Sequence, residues 1–166
     1  MGLLSKGKKT VKYIQVSDDL VETFIDGCSS QLEISIREHG ISDETKLKEK
    51  VLIFCLGIGC LAIHNCKFSA DDRTVLEATF LMNANSQRLE MGNIVERTRG
   101  EAEKLSEAAV SGKGASEFVR LAVYFLDQFN SKDGALLLLV TGVVSASMKS
   151  SIDFLNSLST KFEMTT

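Results

Sequence analysis

The chain has 166 residues, of which 44% are hydrophobic and 25% are charged, a balance that excludes a disordered or collagen-like chain. Its net charge of −3 disfavours nucleic-acid binding, which usually requires a clearly basic domain. Proline is absent, whereas a chain of this length contains about eight on average, and this absence favours helices. We therefore expect an all-α, single-domain helical bundle of five to six helices.

The first sixteen residues are predicted to form a basic arm, and 17–166 the bundle. The run from Thr10 to Val16 alternates polar and apolar residues, which is the pattern of one short strand. A lone strand has no partner, so an extended arm is an equal expectation. The basic start is not followed by an apolar region of ~7–15 residues, so we expect no secretory signal peptide.

Capping residues and apolar spacing predict helices that follow one another with short connections. The predicted first residues are Ser17, Ser42, Ser69, Ser116 and Ala135. The helical pattern from Ser69 continues to about Ser111, which would give a helix of ~65 Å at 1.5 Å per residue. Such a helix is too long for this domain. We therefore expect a kink or break at Asn83–Ser86, Gly92–Asn93 or Gly100.

Two charge-free runs, 51–63 and 135–144, are predicted to be buried nearly all round and to form the central pair of the bundle. The first run contains Gly57 and Gly59. Each glycine costs a helix about 1 kcal/mol relative to alanine. The simplest reason for keeping them is the close approach of another helix.

The chain has four cysteines, at Cys28, Cys55, Cys60 and Cys66. Disulfide frameworks belong to small, loop-rich secreted chains, and this sequence is neither small nor loop-rich. We expect the thiols to be reduced, buried and inert, which favours a cytoplasmic location.

No motif for catalysis or metal binding stands out. Cys60 and His64 are four residues apart and share a helical face, so they could hold zinc or place His64 as an axial haem ligand. The C-x₂₋₄-C pairs of structural zinc sites are missing. Neither a nucleophile elbow nor a phosphate-binding loop is present. We therefore predict no catalytic residues, no metal and no cofactor.

The favoured function is a non-enzymatic protein-interaction or regulatory module that pairs with itself or with another protein. The second half of the long helical pattern carries small and apolar residues at spacings of three and four, which is typical of a helix-packing seam. The predicted interface residues are Met82, Leu89, Met91, Val95 and Leu105.

Two alternatives remain open. Small residues on the two apolar helices could leave a cavity for a lipid, haem or hydrophobic metabolite. The predicted pocket residues are Gly59, Cys60, His64, Gly142 and Ser145. The two apolar helices could instead associate with a membrane, although both runs are shorter than the ~20 residues that a span requires.

Overall fold

The protein is an all-α helical bundle with one small two-stranded sheet, which confirms the predicted fold class. The computed structural model describes residues 9–40, 44–88, 91–111 and 114–166, without the side chains of 44–46. The α-helices are α1 (Tyr13–Val21), α2 (Ser30–Glu38), α3 (Glu44–His64), α4 (Ala70–Gln87), α5 (Ile94–Val110), α6 (Glu117–Asp127) and α7 (Gly134–Lys161). A π-helical segment, Glu22–Ser29, joins α1 to α2 without a break.

Helix α3 is the centre of the bundle. Every residue from Val51 to Ile63 is buried, as predicted from the absence of charge. Helices α4, α5, α7 and the π-helical segment all pack against it. The bundle is thus built around one helix that is covered on all sides.

The two glycines of α3 allow neighbouring side chains to approach its backbone. A Cβ atom on Gly57 would lie 2.7 Å from Leu105 Cδ1, and one on Gly59 would lie 2.7 Å from the Phe80 ring and 3.0 Å from Phe24. Real Cβ atoms do not sit at 2.7 Å from another carbon. The predicted close approach is therefore confirmed, and α3 offers no cavity at these positions.

Aromatic side chains fill the core on both sides of α3. Phe54 stacks on Phe125 with ring centres 4.2 Å apart, and Phe129 meets Phe125 edge-on at 5.2 Å. Phe24 and Phe80 make a second edge-on pair at 6.3 Å. These contacts join α3 to α6, and the π-helical segment to α4.

The predicted start of the first helix at Ser17 is wrong, because α1 begins at Tyr13. Ser17 is fully buried within α1, and its hydroxyl oxygen accepts a hydrogen bond from Asn83 Nδ2 at 3.2 Å. Tyr13 donates its hydroxyl proton to Asp72 Oδ1 at 2.6 Å. Burial and this carboxylate raise the pKa of Tyr13 to about 12. Long-range contacts to α4 thus hold the extra turn of helix.

Part of the predicted arm is a strand. Strand β1 (Lys9–Lys12) pairs in parallel with β2 (Phe162–Thr165), with Val11 opposite Met164. The partner lies at the other end of the chain, which explains why local sequence patterns did not reveal it. Residues 1–8 of the predicted arm lie outside the described residues.

The long helical pattern is broken between Gln87, where α4 ends, and Ile94, where α5 begins, and this interval includes the predicted position Gly92–Asn93. Gly92 has a φ of +73°, and Asn93 caps α5 by accepting a hydrogen bond from the Glu96 backbone at 3.3 Å. The other two candidate positions, Asn83–Ser86 and Gly100, lie inside α4 and α5. The predicted helix start at Ser42 lies outside the described residues.

Replacing Ser69 with alanine should lower the free energy of unfolding by about 1 kcal/mol. Ser69 is the predicted cap of α4, and its hydroxyl oxygen accepts a hydrogen bond from the Asp72 backbone at 3.1 Å. Ser150 is the matched control, because its hydroxyl donates only within α7, to the carbonyl of Ser147. Urea unfolding of Ser69→Ala and Ser150→Ala checks this, and equal losses would show that the cap adds nothing.

Candidate functional site

Helix α7 exposes one continuous face, which contradicts the prediction that its first half is buried nearly all round. Leu138 is 75% exposed and Leu139 is 45% exposed. The residues of this α7 face are Ala135, Leu138, Leu139, Gly142, Ala146, Lys149 and Asp153. The opposite side of the helix is buried and consists of Leu136, Val140, Val144, Met148, Ser151 and Leu155. Helix α7 is therefore peripheral, and α3 alone is central.

The α7 face has the spacing of a helix-packing seam. Six of its seven residues, Ala135, Leu139, Gly142, Ala146, Lys149 and Asp153, recur at intervals of four, three, four, three and four, the repeat that keeps one side of a helix against a partner helix, and Leu138 lies beside this row. Gly142 lies at the middle, and apart from the adjoining backbone of its own helix no atom of the described residues lies within 4 Å of the position that its Cβ would occupy. Small residues at such positions permit close approach between helix backbones.

This spacing is present in the sequence, but the absence of charge from the same run favours complete burial and conceals it. Alanine and glycine contribute little to hydropathy, and they are compatible with either a core or a surface. The informative signal was the regular placement of the small residues opposite the large aliphatic ones.

The N-terminal end of the α7 face is fixed by a charged cap. Asp133 Oδ1 accepts hydrogen bonds from the backbone amides of Ala135 at 2.8 Å and Leu136 at 3.2 Å. The second oxygen of the same carboxylate lies 3.9 Å from His39 Nε2. The positive end of the helix dipole also favours a carboxylate here.

Helix α6 borders the α7 face on one side. Val123 of α6 and Leu137 of α7 line a shallow groove of about 170 Å³ between the two helices. Towards the other end, the Lys149 ammonium lies 5.0 Å from the centre of the Phe118 ring. The exposed apolar residues of the α7 face therefore lie beside this groove at one end and beside the contact between Lys149 and Phe118 at the other.

Within the described residues, α7 is also the one helix long and apolar enough to cross a membrane. Only 28% of its most apolar 18-residue window is buried. By itself this is weak evidence, since core helices of soluble proteins have similar lengths and compositions.

The predicted interface residues do not share one surface. Leu105 is fully buried and packs against Gly57 of α3, whereas Met82 on α4 is 69% exposed. Met91 and Val95 are partly buried and pack against the core. Leu89 lies outside the described residues. The seam of α5 therefore faces α3 within the same chain.

The predicted pocket residues are also separated. Gly59 and Cys60 are buried in α3, where the Phe24 and Phe80 rings occupy the space beside Gly59. Burial raises the pKa of the Cys60 thiol well above its ordinary value. Gly142 lies on the exposed α7 face, and Ser145 of the same helix is partly exposed. These four residues do not line a common cavity.

His64 belongs to a charged cleft instead. This cleft of about 520 Å³ lies where the end of α3 meets α4 and α5. His64 Nε2 lies 2.6 Å from Glu77 Oε2, and Arg99 Nε lies 3.9 Å from the other oxygen of Glu77. The imidazole, carboxylate and guanidinium groups give this cleft the chemistry to contact polar molecules.

Among the described residues, no group of three or more His, Cys, Asp or Glu side chains is arranged to hold a metal ion. Comparison of the chain with known protein families, with curated proteins and with solved structures finds no match. The exposed α7 face is the main feature from which a function can be inferred.

Proposed function

We propose that this protein is a non-enzymatic interaction module that pairs with a second copy of itself through the α7 face. The observation that carries the proposal is the exposure of a regular seam of aliphatic and small residues on a helix whose other side is fully packed. A soluble chain gains little from presenting Leu138 and Leu139 to water unless another surface covers them.

An antiparallel pair of α7 helices centred on Gly142 matches large residues with small ones. Leu138 and Ala146 are each four residues from Gly142, on opposite sides. In an antiparallel pair, Leu138 of one copy thus lies beside Ala146 of the other. The two Gly142 residues meet at the two-fold axis, where the lack of side chains allows close approach. The same patch serves both copies, as a two-fold interface requires.

The charged residues at the two ends are also complementary in this arrangement. Lys132 and Asp133 precede the α7 face, and Lys149 and Asp153 lie at its other end. Antiparallel pairing about Gly142 places Lys132 of one copy opposite residue 152 of the other, one residue from Asp153 and three from Lys149, whereas Asp133 is equally far along the helix axis from Lys149 and from Asp153. In a parallel pair, each of these charges would instead lie beside the same charge of the second copy. Charge complementarity thus favours the antiparallel orientation.

A helix is a better partner for this face than a lipid surface. From Ala135 to Ala146 the uncharged part of the face is ~18 Å long, and Lys149 and Asp153 follow it. Only Leu138 and Leu139 offer large apolar groups for insertion among acyl chains. Gly142 and Ala146 would gain little from lipid, but they allow a second helix to approach closely.

Light scattering on a size-exclusion column tests the proposal. One helix pair is a small interface, so the protein should be measured from micromolar to near-millimolar concentration. We expect wild type to form dimers, and Leu138→Glu to be a folded monomer because two carboxylates would be buried near the axis. Ile34→Glu is the matched control, since Ile34 is an exposed aliphatic on α2, and this variant should remain dimeric.

Cysteine cross-linking tests the orientation. Gly142→Cys should give a covalent dimer on a non-reducing gel, because the two substituted positions meet at the axis. Ser150→Cys should not, since antiparallel pairing separates the two copies of residue 150 by ~24 Å along the helices. Cross-linking of both variants would indicate parallel pairing. A monomer that floats with vesicles containing anionic lipid would overturn self-association and assign the α7 face to a membrane.

A further inference from the structure

Cys28 and Cys55 form a buried pair of thiols that has no part in the proposed pairing through the α7 face. Their sulfur atoms lie 3.3 Å apart, and Cys55 donates a hydrogen bond to Cys28. Cys28 belongs to the π-helical segment and Cys55 to α3, so the contact joins two separate elements of the core. The contact contrasts with the expectation, from the size and low loop content of the chain, that the four thiols are inert.

We infer that Cys28 and Cys55 are a redox modification site, which hydrogen peroxide converts to an intramolecular disulfide. The sulfur atoms need to approach by only ~1.3 Å from their separation of 3.3 Å to reach the ~2.0 Å of a disulfide. Small side-chain rotations can supply this movement. The inference is independent of the proposed self-association.

The surroundings make Cys28 the first of the two to react. Hydrogen bonds from the side chains of Cys55 and Ser147 lower the pKa of Cys28 despite its burial. Burial raises the pKa of Cys55, Cys60 and Cys66. Because a thiolate is the reactive form, Cys28 is the preferred nucleophile among the four.

The reaction balances with one molecule of hydrogen peroxide. The Cys28 thiolate attacks one peroxide oxygen, the O–O bond breaks, and the leaving hydroxide takes a proton to form water. The product is a sulfenic acid on Cys28. The Cys55 sulfur then attacks the Cys28 sulfur, the S–O bond breaks, and the departing hydroxyl leaves as water with the proton of Cys55. Both sulfurs are oxidised, and the peroxide is reduced to two molecules of water.

The arrangement suits an S–S bond better than a metal. Structural zinc sites need four ligands, and no group of three or more candidate donors occurs among the described residues. Hydrogen peroxide is small and uncharged, which allows it to enter through local opening of the core. A disulfide formed in this way would be transient in a reducing compartment, as redox-sensing disulfides are.

The test treats the full-length protein with hydrogen peroxide and then counts free thiols under denaturing conditions. We expect two of the four thiols to disappear, with an intact mass lower by two hydrogen atoms. Peptide mapping should identify the Cys28–Cys55 linkage, a non-reducing gel should show a monomer, and a thiol reductant should reverse the change. The inference is overturned if all four thiols persist, if Cys60 or Cys66 reacts first, or if the bond joins two chains.

Variants separate the two steps. Cys55→Ser should accumulate a sulfenic acid on Cys28, which a dione probe traps, because the resolving thiol is missing. Cys60→Ser and Cys66→Ser are matched controls and should form the disulfide as wild type does. Failure to trap sulfenic acid in folded Cys55→Ser would contradict the assignment of Cys28 as the nucleophile. If this variant does not fold, peptide mapping of the oxidised wild-type protein still tests the Cys28–Cys55 linkage.

Discussion

Phe125→Ala is expected to lower the free energy of unfolding by about 3–5 kcal/mol. The Phe125 ring is fully buried between Phe54 of α3 and Phe129 in the turn that follows α6. Its removal would leave a cavity beside a helix that is already covered on all sides, so the surrounding groups can relax little. Domains of this size are stable by only about 5–15 kcal/mol, so the variant would lose a large part of its stability.

Urea unfolding followed by circular dichroism measures this loss. Val123→Ala is the matched control, because Val123 lies on the same helix but is 41% exposed, and its loss should be within about 1 kcal/mol. If the two variants lost equal stability, the aromatic stack between α3 and α6 would not be a principal contact of the core.

Local features of the fold could be predicted from the sequence because their causes are local. Ser69 and Ser116 accept hydrogen bonds from amides three residues ahead, and Gly92 takes a left-handed conformation two residues before α5 begins. The absence of charge also identified α3 as a core helix. Each of these depends on a few neighbouring residues.

The candidate site could not be predicted in the same way, because burial depends on distant parts of the chain. Leu105 and Leu138 are both leucines on helices with a regular seam, yet α3 covers Leu105 and nothing in the described chain covers Leu138 to the same extent. Likewise Cys28 and Cys55 are 27 residues apart, and only packing of the π-helical segment on α3 brings their sulfurs into contact. The sequence supplied the candidate residues, and packing decided their roles.

Leu105→Glu is expected to unfold the protein or to cost it more than about 4 kcal/mol, because it places a carboxylate in the core of one chain. The Leu105 side chain is fully buried and contacts the backbone of α3 beside Gly57. Met82→Glu is the matched control from the same predicted interface, and its exposed position should limit the change to about 0.5 kcal/mol.

Unfolding curves and light scattering of both variants separate two interpretations. A folded, monomeric Leu105→Glu protein of unchanged stability would show that this seam joins two copies, and it would remove the reason for assigning that role to α7. Unfolding of Leu105→Glu, together with a folded monomer for Leu138→Glu, would assign the α5 seam to the core and the α7 face to the contact between copies.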